Sequence, residues 1–232
     1  MKKIKIAHLY YDLMNLYGEN GNVRALEKYL KAQGLTVEIN YLTISDKIDF
    51  NKYDVFYIGS GNDDSFNLTL KDIKQYKSSI EKVINSKFFI VTGNAINLFG
   101  KVYIDKKNII PCLDILDFDT KKIKKRIVGE QFLRFKKSNH EIIGFENRNS
   151  KLVNVKEKNL FEIIQGDGTF EGIHHKNFYG TYLLGPLLIR NPFFTEYITK
   201  QICKSFNIEF KKINNELEKE AYDKYKTNFL IK

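Results

Sequence analysis

The 232-residue chain is poor in cysteine and proline, with two and three residues respectively, and it has no tryptophan. Two cysteines cannot staple a domain of this length, and such a chain can bury a sizeable core without disulfides. Because no proline-, glycine- or serine-rich linker interrupts it, the length favours one domain. We expect that domain over residues 1–210, with residues 211–232 as its charged helical tail.

A long apolar run is also missing near the amino terminus. Residues 1–8 alternate lysine with aliphatic side chains, so they match neither a signal peptide nor a membrane helix. We therefore expect an intracellular, cytoplasmic protein without a membrane span.

The charge is unbalanced, with 38 Lys+Arg against 28 Asp+Glu and a formal net charge of +10. The densest basic run covers residues 121–126, and Lys136 and Lys137 follow it. Such residues could bind nucleic-acid phosphates through counterion release. The abundance of lysine, asparagine and isoleucine favours the other interpretation, a solvated hairpin. Nucleic acid is therefore not the partner that we expect.

Short apolar segments alternate with segments of helical periodicity in the first hundred residues. The pattern predicts strands at residues 4–10, 36–42, 54–58 and 88–91, and helices at 21–30, 67–84 and from 95 onward. Such alternation is typical of an α/β fold, in which helices flank a mostly parallel central sheet in a flavodoxin-like, three-layer arrangement. Ligands of such sheets bind at the carboxyl ends of the strands.

The middle and the end of the chain have different patterns. Residues 109–164 contain short segments separated by turns, which predicts an antiparallel extension of the same sheet. A helix is expected at residues 193–206. The charged segment 214–225 has few apolar positions, so a solvated helix is favoured over a docking element.

Five stretches occur in an order and at separations that match a known family. They read LYGENGN at 16–22, FYIGSGND at 56–63, TGNAINLFG at 92–100, GFEN at 144–147, and GIHHKN followed by GTYLLGP between 172 and 186. This pattern resembles class I glutamine amidotransferase domains of the cobyric-acid-synthase (CobB/CobQ) type, and most closely the GatD subunits of lipid II isoglutaminyl synthases. The likeness covers most of the chain.

The resemblance implies glutamine hydrolysis, in which a cysteine thiolate on a sharp strand-to-helix turn attacks the amide and a histidine transfers the proton. It places Gly93 at the cysteine position and Leu184 at the histidine position. A one-residue shift would instead put Thr92 on the turn. His174 matches a family histidine outside this pair, so we expect a structural role such as pairing with a backbone carbonyl. The two thiols, Cys112 and Cys203, lie elsewhere in apolar stretches and are expected to be buried.

The residues expected around this turn match the family pattern more closely. By resemblance the substrate-binding residues are Gly59, Ser60, Gly61, Asn62, Asn94, Arg126, Glu146 and Asn147. A guanidinium such as that of Arg126 suits the carboxylate of an amino acid. On the residues alone, an ordinary strand-to-helix turn is slightly favoured for the glycine loop at 59–62, whereas for Arg126 a surface charge and a substrate contact are equally supported. No metal and no cofactor is expected.

In the family such a subunit delivers ammonia to a Mur-ligase-like partner, which amidates the stem peptide of the peptidoglycan precursor. Our first hypothesis is a heterodimeric pseudoenzyme, acting as a structural partner or as a sensor that binds glutamine without cleaving it. A second is an active amidohydrolase with a non-standard nucleophile such as Thr92, or a cobyric-acid-synthase-like domain. A third is nucleic-acid binding through residues 121–126.

Overall fold

The computed structural model describes residues 2–138 and 140–230, and eleven strands of this part of the chain form one sheet. The strands are β1 (Lys3–Leu9), β2 (Thr36–Leu42), β3 (Val55–Ile58), β4 (Phe88–Thr92), β5 (Val102–Asp105), β6 (Asn108–Pro111), β7 (Asp119–Phe135), β8 (His140–Val153), β9 (Lys158–Gln165), β10 (Phe170–His175) and β11 (Phe178–Thr181). The helices are α1 (Asn20–Ala32), α2 (Asp63–Ile73), α3 (Lys77–Val83), α4 (Leu187–Arg190), α5 (Pro192–Ser205) and α6 (Glu216–Leu230), with 3₁₀ segments at Phe50–Lys52, Lys74–Tyr76 and Gly93–Phe99. Residues 231–232 of the predicted tail lie outside the described residues.

The sheet has the order β2-β1-β3-β4-β11-β10-β9-β7-β5-β6, and β8 pairs with β7 beside this path. The first five strands in that order are parallel. Beyond β11 the sheet continues in antiparallel pairs through β10, β9 and β7. The predicted α/β fold, with a parallel sheet and an antiparallel extension in the middle of the chain, is confirmed.

Helices cover both faces of the parallel strands because side chains of a strand alternate between faces. Along β3, Val55 and Tyr57 pack in a core with α1, α4 and α5, whereas Phe56 and Ile58 pack in a core with α2 and α3. The fully apolar strands of the sequence are therefore those buried on both faces, which gives three layers.

The helix predicted at residues 67–84 is interrupted. It begins earlier, as α2 at Asp63, and the 3₁₀ turn Lys74–Tyr76 separates α2 from α3. The Tyr76 hydroxyl donates to the backbone carbonyl of Asp46, so this turn is tied to the loop after β2. The prediction of one continuous helix was wrong. The helix predicted to open at residue 95 is present as the 3₁₀ helix Gly93–Phe99.

The carboxyl-terminal helix α6 packs on β8. Tyr222 is buried, and its hydroxyl donates to the backbone carbonyl of Glu141. The ammonium of Lys226 pairs with the carboxylate of the same glutamate at 2.9 Å. Leu217 remains 77% exposed. The helix is thus anchored on β8 through Tyr222 and Lys226.

Candidate functional site

The chain turns sharply at the carboxyl end of β4. Gly93 has a φ of +61°, a left-handed conformation that glycine adopts without steric cost. A Cβ atom at this position would lie 2.4 Å from the Ser60 Cβ and 3.2 Å from the Leu184 Cδ2. The sheet therefore brings together three predicted positions, Gly93, Ser60 of the loop after β3, and Leu184 of the loop after β11.

No proton-transfer group belongs to the two positions that the resemblance assigned to chemistry. Leu184 is buried, with 4% of its surface exposed. Its backbone nitrogen donates to the Phe145 carbonyl at 2.9 Å, and the Gly93 nitrogen donates to the Leu183 carbonyl at 3.3 Å. The turn is held by backbone hydrogen bonds, and the side chains at Gly93 and Leu184 contribute only a hydrogen atom and methyl groups.

The backbone N–H groups beside the turn already have acceptors. The Gly61 nitrogen donates to Asn94 Oδ1 at 3.0 Å, and the Asn94 side-chain amide donates to the Gly61 carbonyl at 2.7 Å. The Asn94 nitrogen donates to Ser60 Oγ at 3.5 Å. An oxyanion hole is commonly built from the N–H that follows a nucleophile and from a second loop N–H. Here the Gly61 donor is paired with Asn94 Oδ1, and the Asn94 donor makes a long hydrogen bond to Ser60 Oγ.

The other two residues of the glycine loop have local roles. Asn62 caps α2, because its side-chain oxygen accepts from the Ser65 nitrogen at 2.8 Å. Gly59 permits a close approach, since a Cβ there would lie 2.4 Å from Glu19 Cγ. The loop at residues 59–62 thus packs against Glu19 on one side and starts a helix on the other.

The buried carboxylate of Glu19 contacts the residues at the carboxyl ends of β3 and β4. Glu19 has no exposed surface, and its Oε2 accepts from the Tyr57 hydroxyl at 2.5 Å and from Thr92 Oγ1 at 2.7 Å. The Gly185 nitrogen donates to its Oε1 at 3.4 Å. Burial raises the pKa of Glu19, and the hydrogen bonds from Tyr57 and Thr92 oppose that rise. Thr92 is itself fully buried, so its hydroxyl is held inside the protein.

Arg126 and Asn147, both predicted to bind substrate, contact each other. Arg126 is exposed, and its Nη1 donates to Asn147 Oδ1 at 2.6 Å. The Asn147 side-chain amide donates to the Tyr17 hydroxyl at 2.9 Å. Because Phe145, two residues before Asn147, pairs with the Leu184 nitrogen, this group lies near the turn. The ladder between β7 and β8 shifts register between Lys122 and Ile127, so the basic run lies at a strand irregularity within the predicted hairpin.

Glu146 faces away from any open surface. It is fully buried, and its Oε2 accepts from Arg148 Nε at 3.1 Å and from the Gln131 side-chain amide at 3.3 Å. Nearby, Glu171 accepts from the Thr181 hydroxyl and from the Tyr182 nitrogen, each at 2.6 Å. Burial, together with the charge of Glu146, raises the pKa of Glu171 to about 8. Glu146 therefore takes part in a buried network of charges.

His174 and the two thiols, Cys112 and Cys203, are all buried. His174 is buried, and its ring faces the ammonium of Lys137, with a nitrogen–nitrogen distance of 3.2 Å, where the sequence suggested a carbonyl. Cys112 and Cys203 are buried free thiols, as predicted. Burial raises the pKa of Cys112 to about 12 and also raises that of Cys203. Neither thiol is activated for nucleophilic attack.

The space beside Asn94 is small. Its pocket has a volume of about 90 Å³ and is lined by Asn94, Asn97 and Lys122 among others. Pockets for small organic ligands usually have volumes of about 300–1,000 Å³. Residues 2–138 and 140–230 hold no group of three or more histidine, cysteine, aspartate or glutamate residues placed to bind a metal. No helix of this part of the chain is long and apolar enough to span a membrane.

Sequence reasoning missed Glu19 and Tyr57 as parts of the site. Glu19 lies within the stretch at 16–22, and Tyr57 within the stretch at 56–63, so both belong to the pattern that carried the resemblance. Their roles were not apparent, because a buried carboxylate with partners on β3 and β4 is a property of the folded sheet.

An α/β sheet with a left-handed turn after β4 and a glycine loop after β3 is the arrangement of a glutamine amidotransferase fold. A crystal structure of a glutamine amidotransferase superposes with a TM-score of 0.57 at 13% identity, covering 84% of this chain and 98% of that chain. At such identity the likeness establishes the fold alone.

Sequence comparison is more specific. The model of the CobB/CobQ-like glutamine amidotransferase domain matches residues 5–192, and the chain belongs to this family. The Staphylococcus aureus (strain N315) lipid II isoglutaminyl synthase (glutamine-hydrolyzing) subunit GatD is 31% identical over 230 residues, which cover 95% of this chain and 94% of that protein. The subunit of the same name from Streptococcus pneumoniae (strain ATCC BAA-255 / R6) is 29% identical over 198 residues, covering 82% and 76% respectively.

Proposed function

We propose that the chain is a GatD-like subunit that pairs with a Mur-ligase-like subunit in the amidation of a peptidoglycan precursor, and that it does not hydrolyse glutamine. The single observation that carries the second part is the pair Gly93 and Leu184. They adjoin at the turn, and neither provides a nucleophile or a base. Both GatD relatives are subunits of a lipid II isoglutaminyl synthase, which supports the first part.

The occupied N–H groups support a structural role over glutamine sensing. A bound glutamine amide needs the donors that Asn94 Oδ1 and Ser60 Oγ accept from. Displacing these side chains leaves polar atoms to be satisfied again, at a cost of about 1–3 kcal/mol for each group that stays unpaired. The pocket of about 90 Å³ beside Asn94 is also smaller than usual ligand pockets. In this proposal the subunit stabilises its partner, and the partner uses free ammonia.

The alternative nucleophile Thr92 receives no support from its surroundings. Its hydroxyl is buried and bonded to Glu19, so a substrate amide cannot reach the oxygen without breaking the network under the turn. An active site of the cobyric-acid-synthase type also needs a thiol on the turn, and both thiols of this chain lie elsewhere.

The test measures glutamate release from glutamine by the purified chain, alone and with a co-expressed Mur-ligase-like subunit. We expect no release above background in either case, a stable complex, and partner-dependent amidation of the precursor with ammonium chloride as nitrogen source. Glutamate release that is abolished by Thr92→Ala would overturn the assignment as a pseudoenzyme. Absence of any complex with the Mur-ligase-like subunit would overturn the assignment of the partner.

A further inference from the structure

A larger pocket lies between the turn after β7 and the strands β9 and β10. Its volume is about 340 Å³, within the usual range for small organic ligands. Its lining includes Phe135, Leu160, Phe161 and Phe170; the first three are buried, and Phe170 is 52% exposed. Three lysines also line it: Lys136, Lys137 and Lys158. None of the residues of the turn at Gly93 lines this pocket, so it is a separate feature of the fold.

Both carboxylates of the lining are engaged. Glu162 pairs with Lys136 at 3.5 Å. Glu157 lies 2.8 Å from the His175 Nδ1 and also accepts from the Asp117 nitrogen at 3.3 Å. Within residues 2–138 and 140–230, no carboxylate forms an ion pair with Lys137 or with Lys158. The pocket therefore holds two ammonium groups, those of Lys137 and Lys158, that form no ion pair with a carboxylate of the described residues.

His174 holds one of these ammonium groups in place. The Lys137 Nζ lies 3.2 Å from the His174 Nε2. Burial, and then the charges of Lys137 and Lys158, lower the pKa of His174 to about 4, so the neutral ring accepts a hydrogen bond from the ammonium at neutral pH. Burial and the charge of Lys158 also lower the pKa of Lys137. An anion between the two lysines would relieve this repulsion.

We propose that this pocket binds a small organic phosphate monoester, with the phosphate between Lys137 and Lys158 and the apolar body against the exposed ring of Phe170. Lysine binds phosphate as a point charge, and two ammonium groups match the charge of about −1.5 to −2 that a phosphate monoester carries near neutral pH. The exposed ring of Phe170 contacts the organic part of the ligand, which inorganic phosphate lacks. This site is independent of the function proposed above.

The experiment titrates the full chain with phenyl phosphate by isothermal calorimetry, in 0.15 M salt, with inorganic phosphate, benzyl alcohol and phenylacetate as comparison probes. We expect one saturable site for phenyl phosphate with a Kd below about 1 mM. The three comparison probes should each bind at least about tenfold more weakly, because each lacks the apolar body or the phosphate.

The double variant Lys137→Gln/Lys158→Gln should weaken phenyl phosphate binding at least about tenfold, because it removes both charge-assisted contacts. Phe170→Ala should weaken it without changing the charge. Lys125→Gln is the matched control, since it removes one exposed lysine of the β7–β8 hairpin outside the pocket. Thermal unfolding of each variant establishes that it is folded.

Three results would overturn the proposal. In the first, phenyl phosphate fails to saturate, or the double variant binds it as tightly as the parent chain. In the second, Lys125→Gln loses as much affinity as the double variant, which would indicate general attraction to a basic surface. In the third, inorganic phosphate or phenylacetate binds as tightly as phenyl phosphate, which would remove the assigned ligand class.

Discussion

The side chain of Ser60 occupies the space that a side chain at position 93 would need. A Cβ atom on Gly93 would lie 2.4 Å from the Ser60 Cβ and 2.5 Å from the Ser60 Oγ, distances that packed side chains do not adopt. The serine hydroxyl meanwhile accepts from the Asn94 nitrogen. The turn after β4 therefore contains a glycine and a serine that fit one another, and replacing one residue alone disturbs both.

We predict that the chemistry cannot be installed by the two expected residues alone. Gly93→Cys with Leu184→His should give a less stable protein without glutaminase activity. Ser60 occupies the space that the new Cβ would need, and Asn94 accepts the hydrogen bond of the Gly61 N–H group that an oxyanion would use. Adding Ser60→Gly and Asn94→Gly should make the new thiol accessible. The measurements are glutamate release and alkylation by iodoacetamide.

Alkylation is a clean readout here because Cys112 and Cys203 are buried and their thiol pKa values are raised. The parent chain should therefore incorporate little label under native conditions. If the two-residue variant were labelled as fast as the four-residue variant, the proposed obstruction by Ser60 and Asn94 would be wrong.

The network under the turn should depend on the hydroxyl at position 92. Thr92→Val keeps the shape of the side chain but removes a donor from the buried Glu19. We expect the free energy of unfolding to fall by about 1–3 kcal/mol, the cost of an unsatisfied buried polar group. Urea denaturation measures it. Thr92→Ser, which keeps the hydroxyl, should retain most of the stability; an equal loss in both variants would assign the effect to the methyl group.

Because of Glu171, we expect the free energy of unfolding to fall as pH rises. Its pKa is raised from 4.5 to about 8 in the folded state. Between these values the unfolded chain releases the proton while the folded chain keeps it, so the free energy of unfolding falls with rising pH, by up to about 1.4 kcal/mol per pH unit. Glu171→Gln mimics the protonated acid, and it should abolish this slope between pH 6.5 and 8, above the range in which the lowered pKa of His8 has the opposite effect.

Urea denaturation across this pH range checks the prediction, and Glu220→Gln provides the control on the exposed side of α6. The control should keep the slope of the parent chain. A Glu171→Gln protein that loses stability with pH as steeply as the parent would show that another group carries the dependence.

His8 should have the opposite effect, lowering the free energy of unfolding as pH falls. Its ring is fully buried among Tyr11, Tyr41 and Tyr57, and neither ring nitrogen has a hydrogen-bond partner within the described residues. Burial lowers its pKa from 6.5 to about 4. As pH falls from 6.5 to 4, His8 is protonated in the unfolded chain but stays neutral in the folded chain. The free energy of unfolding therefore falls as pH falls.

His8→Phe should remove this part of the acid sensitivity while keeping a ring among the three tyrosines. Thermal unfolding between pH 7 and 4 measures it, with His140→Gln as a control at a histidine that stacks on Phe193. Equal acid sensitivity in the parent and the His8→Phe protein would refute the assignment to His8.

The strands of the parallel half were predictable because their signal is local. The period-two segment at 36–42 and the apolar runs at 54–58 and 88–91 correspond closely to β2, β3 and β4. The break between α2 and α3 was not predictable from periodicity. Ile73 and Ile80, which flank it, are seven residues apart, a spacing that also fits two turns of an uninterrupted helix.

The site was predictable only as far as the resemblance reached. It indicated which positions meet at the turn, and the structure brings Gly93, Ser60 and Leu184 together. It did not indicate that Asn94 and Ser60 accept from the backbone, or that Glu19 lies beneath. Those contacts depend on the relative positions of loops after different strands, and no periodicity in the sequence encodes that distance.

The left-handed backbone at Gly93 also affects how this chain can change by mutation. A residue with a side chain there bears a strain of about 1–3 kcal/mol, which is a large part of the 5–15 kcal/mol that keeps a typical domain folded. Glycine releases that strain. Introducing a thiol at position 93 by a single mutation would therefore lower the free energy of unfolding, so under the proposed function such a mutation is selected against unless other substitutions compensate for it.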